Sequence, residues 1–187
     1  MGLFSIIKEI IKFRKELKKS IEESKEKEIL YLNMSNEDLA SLSDDELFEA
    51  VLYRTEHRVD GFDEWEEGVN SLNNTQKIFY SINWLEVEVN NGGLCQFFVN
   101  SSRIVAPYIS EYMSIIGANE HKELFDKFIT DNSIDLSNLS SFVIDDVDEY
   151  EKQTERYSFD DYDDIFYEMK PLEVYLKKFA REHIEDF

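Results

Sequence analysis

VNNGGLCQFFVNSS, residues 89–102, contains no charged side chain, although the 187-residue chain carries 41 acidic and 20 basic residues. A neutral run in so acidic a protein has a conformational reading. Asn and Gly tolerate positive φ, so Asn90, Asn91, Gly92 and Gly93 predict the stop of a preceding helix and a sharp turn into the next. That preceding helix is expected over 72–89, with Leu72, Ile78, Phe79, Ile82, Leu85 and Val89 along one side. Phe97 and Phe98 are expected in the core. Gln96, Asn100 and Ser101 are expected to satisfy buried turn carbonyls and amides. A pocket lined by these amides, taking a small ligand, is the alternative use of the same residues.

The helical period continues on both sides of the neutral run. Residues 3–30 read as one long amphipathic helix, with Leu3, Ile7, Ile10, Leu17 and Ile21 recurring and Ile6, Ile11 and Phe13 widening the stripe. The capping box Ser43-Asp44-Asp45-Glu46 predicts a second helix whose buried face is Leu47, Phe48, Val51, Leu52, Thr55 and Val59. An acidic turn (FDEWEEG) is expected after Gly61. Beyond the neutral run, Pro107 and Gly117 bracket a helix over 106–116. Further helices are expected at 119–130, 144–157, 160–169 and 171–185, with a loop over DNSIDLSNLSS. No period-2 alternation persists long enough for a sheet. The expected fold is all-α: a single-domain multi-helix bundle with a long N-terminal amphipathic helix.

Electrically the chain divides. Residues 1–30 hold eight basic and six acidic side chains, net +2, whereas residues 31–187 hold 12 and 35, net −23. We therefore expect a basic amphipathic helix at 1–30 and an acidic all-helical domain at 31–187. The first helix has three candidate uses: packing on its own domain or a sister subunit, lying on a membrane surface, or binding the acidic body of another copy. An overall charge of −21 argues against direct nucleic-acid binding and for a basic partner. One cysteine excludes an intramolecular disulfide framework, no run of ~20 apolar residues predicts a transmembrane segment, and the start does not read as a signal peptide. A cytoplasmic protein is expected.

Residues with catalytic chemistry are sparse. Nothing near Cys95 in sequence would activate it as a nucleophile. His57, His121 and His183 lack metal-ligand spacing. The run Asp160-Asp161-Tyr162-Asp163-Asp164 lacks the glycine and the terminal glutamate of an EF-hand loop. No enzyme activity, cofactor or metal is expected.

The pattern Asn90-Asn91-Gly92-Gly93, Gln96-Phe97-Phe98 and Asn100-Ser101 resembles the signature of a bacterial family of acidic all-helical proteins, a domain of unknown function named after a DNA-mimic protein. Ile115-Ile116-Gly117-Ala118 and the acidic-aromatic ending from Phe166-Tyr167 to Phe187 agree, so the resemblance covers roughly residues 45–187. It implies an all-helical fold, imitation of DNA, regulation of transcription and a homodimer.

The carboxylates themselves supply the candidate surface. Asp145, Asp146, Asp148, Glu149, Glu151, Glu155, Asp160, Asp161, Asp163, Asp164 and Glu168 face only two nearby bases, Lys152 and Arg156. Asp160, Asp164 and Glu168 fall at i, i+4 and i+8, one carboxylate every ~6 Å of helix axis. B-form DNA carries one phosphate charge per ~1.7 Å of axis, so several such rows must act together. Glu56, Asp60, Asp63, Glu64, Glu66 and Glu67 form a second acidic cluster. The expected function is occupation of a basic DNA-binding protein, a transcription factor or histone-like protein, by a carboxylate surface. An immunity-type protein neutralising a basic toxin, or a small-ligand-binding helical domain, are the alternatives.

Overall fold

A computed structural model describes residues 3–144 and 146–187. Its helices are α1 (Leu3–Leu32), α2 (Asn36–Ser41), α3 (Asp44–Val59), α4 (Trp65–Ser71), α5 (Asn74–Val99), α6 (Ala106–Ile116), α7 (Asn119–Asp131), α8 (Val147–Arg156), α9 (Phe159–Glu168) and α10 (Leu172–Glu182). Short 3-10 turns occupy Ser101–Val105, Ser140–Phe142 and Ile184–Asp186, and no strand occurs among the described residues. The all-α expectation holds.

The predicted capping box at Ser43 forms: its hydroxyl accepts the Glu46 N–H while the Glu46 carboxylate accepts the Ser43 N–H. Gly117 ends α6 in the left-handed region, as its place past the last apolar residue requires. Two helices were not foreseen. α2 opens on Ser35 with Asp38 as the reciprocal residue, a box closed by Asp where the sequence rule looks for Glu or Gln. α4 replaces the expected acidic turn, and it lacks any side-chain cap at Glu64 and carries Gly68 in its middle. Six and seven residues are too few for an apolar period to show.

α5 forms the centre of the fold. Ile78, Phe79, Ile82, Leu85, Val89, Phe97 and Phe98 are all buried, and α10, α9, α6 and α4 pack around it. Glu86, half-buried on α5, reaches across to the start of α10, where its carboxylate accepts the Leu172 and Glu173 N–H groups at 2.6 and 2.8 Å. Burial raises its pKa, and these two amides oppose the rise. The helix α10 has no cap of its own at Pro171, so Glu86 replaces one from another element. Arg54 on α3 ties the end of α1 and the segment after it to Phe187, donating to the carbonyls of Tyr31, Met34 and Phe187.

The last turns of α1 dock on α3. Tyr31 is buried and donates to Glu49 at 2.9 Å, Lys27 pairs with Glu49 at 2.8 Å, and Ser24 bonds Tyr53. Ile10, Phe13, Leu17 and Ile21 on the predicted apolar stripe remain exposed, so these four side chains do not pack on the rest of the chain. The side chains of Leu3, Ile6, Ile7 and Ile11 lie outside the described residues.

Candidate functional site

The neutral run does not end the helix at Asn90; it breaks α5 and lets it resume. Gly92 and Gly93 leave helical geometry, with Gly93 at φ 72°, ψ −178°, and residues 94–99 are helical again. A break frees backbone groups that must find partners. Here they come from the acidic helices. Tyr167 of α9 donates to the Val89 carbonyl at 2.8 Å, and Tyr150 of α8 donates to the Gly92 carbonyl at 3.4 Å. Asp163 of α9 accepts the Leu94 N–H at 2.9 Å and so caps the resumed segment. The neutral run is thus the mount that fixes α8 and α9 in place.

The amides do something other than expected. Gln96 and Asn100 do not serve turn carbonyls. They converge on Glu88, a carboxylate in a residue only 6% exposed. Gln96 Nε2 donates to Glu88 Oε2 at 2.6 Å, and Asn100 Nδ2 donates to both oxygens at 2.9 and 3.0 Å. Ser102 Oγ donates to Glu88 Oε1 at 3.1 Å. Ser101 takes no part in this cradle; it is exposed beside it. Glu88 and Ser102 escaped the sequence reading. The available signal was an acid immediately upstream of an uncharged run rich in amide donors. Phe97 and Phe98 enter the core as predicted. Cys95 is buried, and burial pushes its thiol up to about 11, which keeps it protonated at neutral pH.

Glu88 lines an open cleft of about 270 Å³ together with Trp65, Trp84, Asn100, Ser101 and Ser102. A second hollow of about 150 Å³ adjoins it, bounded by Glu64, Trp65, Glu66, Ser101, Arg103 and Ile104. Part of the second acidic cluster therefore borders this cleft. That cluster rides on α3 and α4, and α4 packs chiefly on α3, α5 and the Ser101–Val105 turn rather than on α8 or α9. Glu56 within it is half-buried, and burial raises its pKa.

Asp145 lies outside the described residues. Asp146, Asp148, Glu151, Glu155, Asp160, Asp161, Asp164 and Glu168 are exposed, and Glu149 is half-buried. On α8, Asp148, Glu151 and Glu155 follow i, i+3, i+7 along one face; on α9, Asp160, Asp164 and Glu168 follow i, i+4, i+8. Asp163 is the correction. At 7% exposure it faces the kink, because Phe159, Tyr162, Asp163 and Phe166 make up the inward face of α9. Among the described residues, ion pairs sit on α1, α3, α7 and α10, and none joins a base to any of the eight exposed carboxylates. Arg156 lies instead over the ring of Tyr157.

Asp163 carries a pH prediction. Burial raises its pKa from 3.8 to about 6, the Leu94 amide opposes the rise, and Asp160 and Asp164 add to it. A carboxyl raised in the folded state favours folding most when protonated, so its contribution is full below about 4 and is lost as pH climbs through about 6. Asp163→Asn removes this titration while keeping an acceptor for Leu94. The stability difference between variant and wild type should shift towards the variant by on the order of 2–3 kcal/mol between pH 4 and 7. Urea unfolding of both proteins at each pH reads that difference, and parallel curves would refute it.

No group of three or more His, Cys, Asp or Glu among the described residues could hold a metal ion. Nor is any helix among them long and apolar enough to cross a membrane. A family model described as DMP19-like protein matches residues 70–183, inside the span of the resemblance drawn above. No curated protein and no solved structure matches the chain.

Proposed function

The chain belongs to the DMP19-like family, and we propose that it acts without catalysis, as a DNA mimic that occupies a basic DNA-binding protein of the cytoplasm through the carboxylates of α8 and α9. The observation that carries this reading is the asymmetry of charge pairing. Lysines and arginines partner acids on α1, α3, α7 and α10, while the eight exposed acids of α8 and α9 have no ion pair among the described residues. Like charges at these spacings destabilise a helix by a few tenths of a kcal/mol per pair. A surface that keeps them unpaired attracts cationic partners instead. Each row alone is too sparse for a duplex, and two rows on helices fixed to one mount approach it better. A homodimer would double them again.

The reading is tested by capture on immobilised protein from a bacterial lysate, with graded salt washes and elution by duplex DNA. The captured proteins are expected to be basic DNA-binding proteins, displaced by the duplex and released steeply by moderate salt. Asp160→Lys, Asp161→Lys and Asp164→Lys together should reduce capture at least tenfold with helical content unchanged, because all three side chains are exposed. Unchanged capture by the triple variant overturns the chosen face. One partner held at high salt against excess DNA would point to an immunity-type protein instead.

A further inference from the structure

The Glu88 cleft is separate from the acidic face, and its chemistry is more particular. Glu88 is 6% exposed and meets no base among the described residues; its four contacts are neutral donors. Dipoles of this kind stabilise a buried carboxylate without cancelling its charge. An anion left unneutralised at the edge of an open cleft favours a cation there. The four contacts also limit which cation. Oε1 accepts from Asn100 and Ser102, and Oε2 accepts from Gln96 and Asn100, so the roughly four lone-pair sites of a carboxylate are filled. An ammonium with N–H donors would find no acceptor on Glu88 without displacing an amide. A hard metal ion, which takes six or more oxygen ligands, is served still worse.

The two indole walls, sharing the lining with the polar side chains of Asn100, Ser101 and Ser102, suit a cation that needs no hydrogen bonds. Trp65 and Trp84 stand nearly perpendicular, their rings 6.5 Å apart at 87°, forming a corner of the cleft. Buried Tyr80 packs behind both, 6.0 Å from each ring, and accepts a hydrogen bond from Trp65 Nε1 at 3.3 Å, which fixes that indole. Indole faces attract cations through their quadrupole, most strongly when the cation is poorly hydrated. Glu64 and Glu66 at the adjoining hollow add negative potential, and the nearby Arg103 is turned to the Val99 and Asn100 carbonyls. From these features we infer that the cleft between Trp65, Trp84 and Glu88 binds a quaternary ammonium group. The volume of about 270 Å³ accommodates a trimethylammonium head with its tether.

Such a head reaches the protein either as a free small molecule or as a trimethylated lysine on a polypeptide. The chain has two tryptophans, and both line this cleft, so their fluorescence reports binding directly. Titration with choline should give a saturable change with a midpoint on the order of 1 mM. The neutral isostere 3,3-dimethylbutanol should bind at least about tenfold more weakly, because it has the shape without the charge. Glu88→Gln should weaken choline by a similar factor, with circular dichroism confirming its helical content. The comparison of choline with its isostere on the unaltered protein stands even if that variant fails to fold. A trimethyl-lysine peptide binding more tightly than choline identifies a polypeptide source, and choline binding more tightly identifies a free metabolite; either supports the site. Equal binding of choline and the neutral isostere, or no saturable response to choline and peptide alike, overturns it.

Discussion

Gly93→Val is expected to destabilise the protein by about 2–6 kcal/mol, read as a lowered urea midpoint and a loss of helical signal. Two effects combine. At φ 72°, ψ −178° the backbone occupies a region open essentially to glycine, and forcing a β-branched residue there costs about 1–3 kcal/mol. A Cβ at Gly93 would also sit 2.0 Å from Asp163 Oδ2. Asp163 must then leave, which uncaps Leu94 and strands a buried amide at about 1–3 kcal/mol. Gly117→Ala is the control: its φ of 82° is also positive, yet nothing lies within 4 Å of the added Cβ. That variant should lose only about 1–2 kcal/mol. Equal losses at the two glycines would show that the Asp163 contact contributes nothing.

Phe98→Ala is expected to cost about 3–5 kcal/mol. Phe98 is fully buried, and its ring lies 5.3 Å from Phe97, 6.3 Å from Phe125, 5.8 Å from Phe128 and 4.7 Å from Phe142. It therefore joins α5 to α7 and to the Ser140–Phe142 turn that leads into α8. Domains of this kind have only about 5–15 kcal/mol in reserve, so the variant should approach the threshold of folding. Thermal unfolding measures the loss, and hydrogen exchange should show it concentrated in α7 and the segment before α8. Phe98→Leu, which leaves a smaller cavity, should recover a substantial part. A shift in melting temperature no larger than that of a surface substitution would contradict the central placing of this ring.

How far the sequence was readable depends on the range of each interaction. The starts and stops of α3 and α6 rest on contacts within four residues, and Ser43, Glu46, Pro107 and Gly117 declare them locally. The Glu88 cradle spans eight to fourteen residues across a kink, and no local pattern announces that Gln96, Asn100 and Ser102 fold back onto one carboxylate. The mount for α8 and α9 spans 58 to 78 residues and was wholly tertiary. Asp163 was different. It stands at the same helical period as Phe159, Tyr162 and Phe166, so its inward direction was legible, but its charge grouped it with its exposed neighbours. Periodicity outweighs residue type in such a run.

The arrangement at the kink separates two tasks along α8 and α9. Positions 150, 163 and 167 hold these helices to the backbone of α5, while among the described residues the exposed carboxylates of α8 and α9 make no such bond. The outer lettering can therefore be rewritten without loosening the binding of the page. Two proteins sharing this chassis can present different electrostatic scripts, and hence choose different readers, while remaining superimposable beneath.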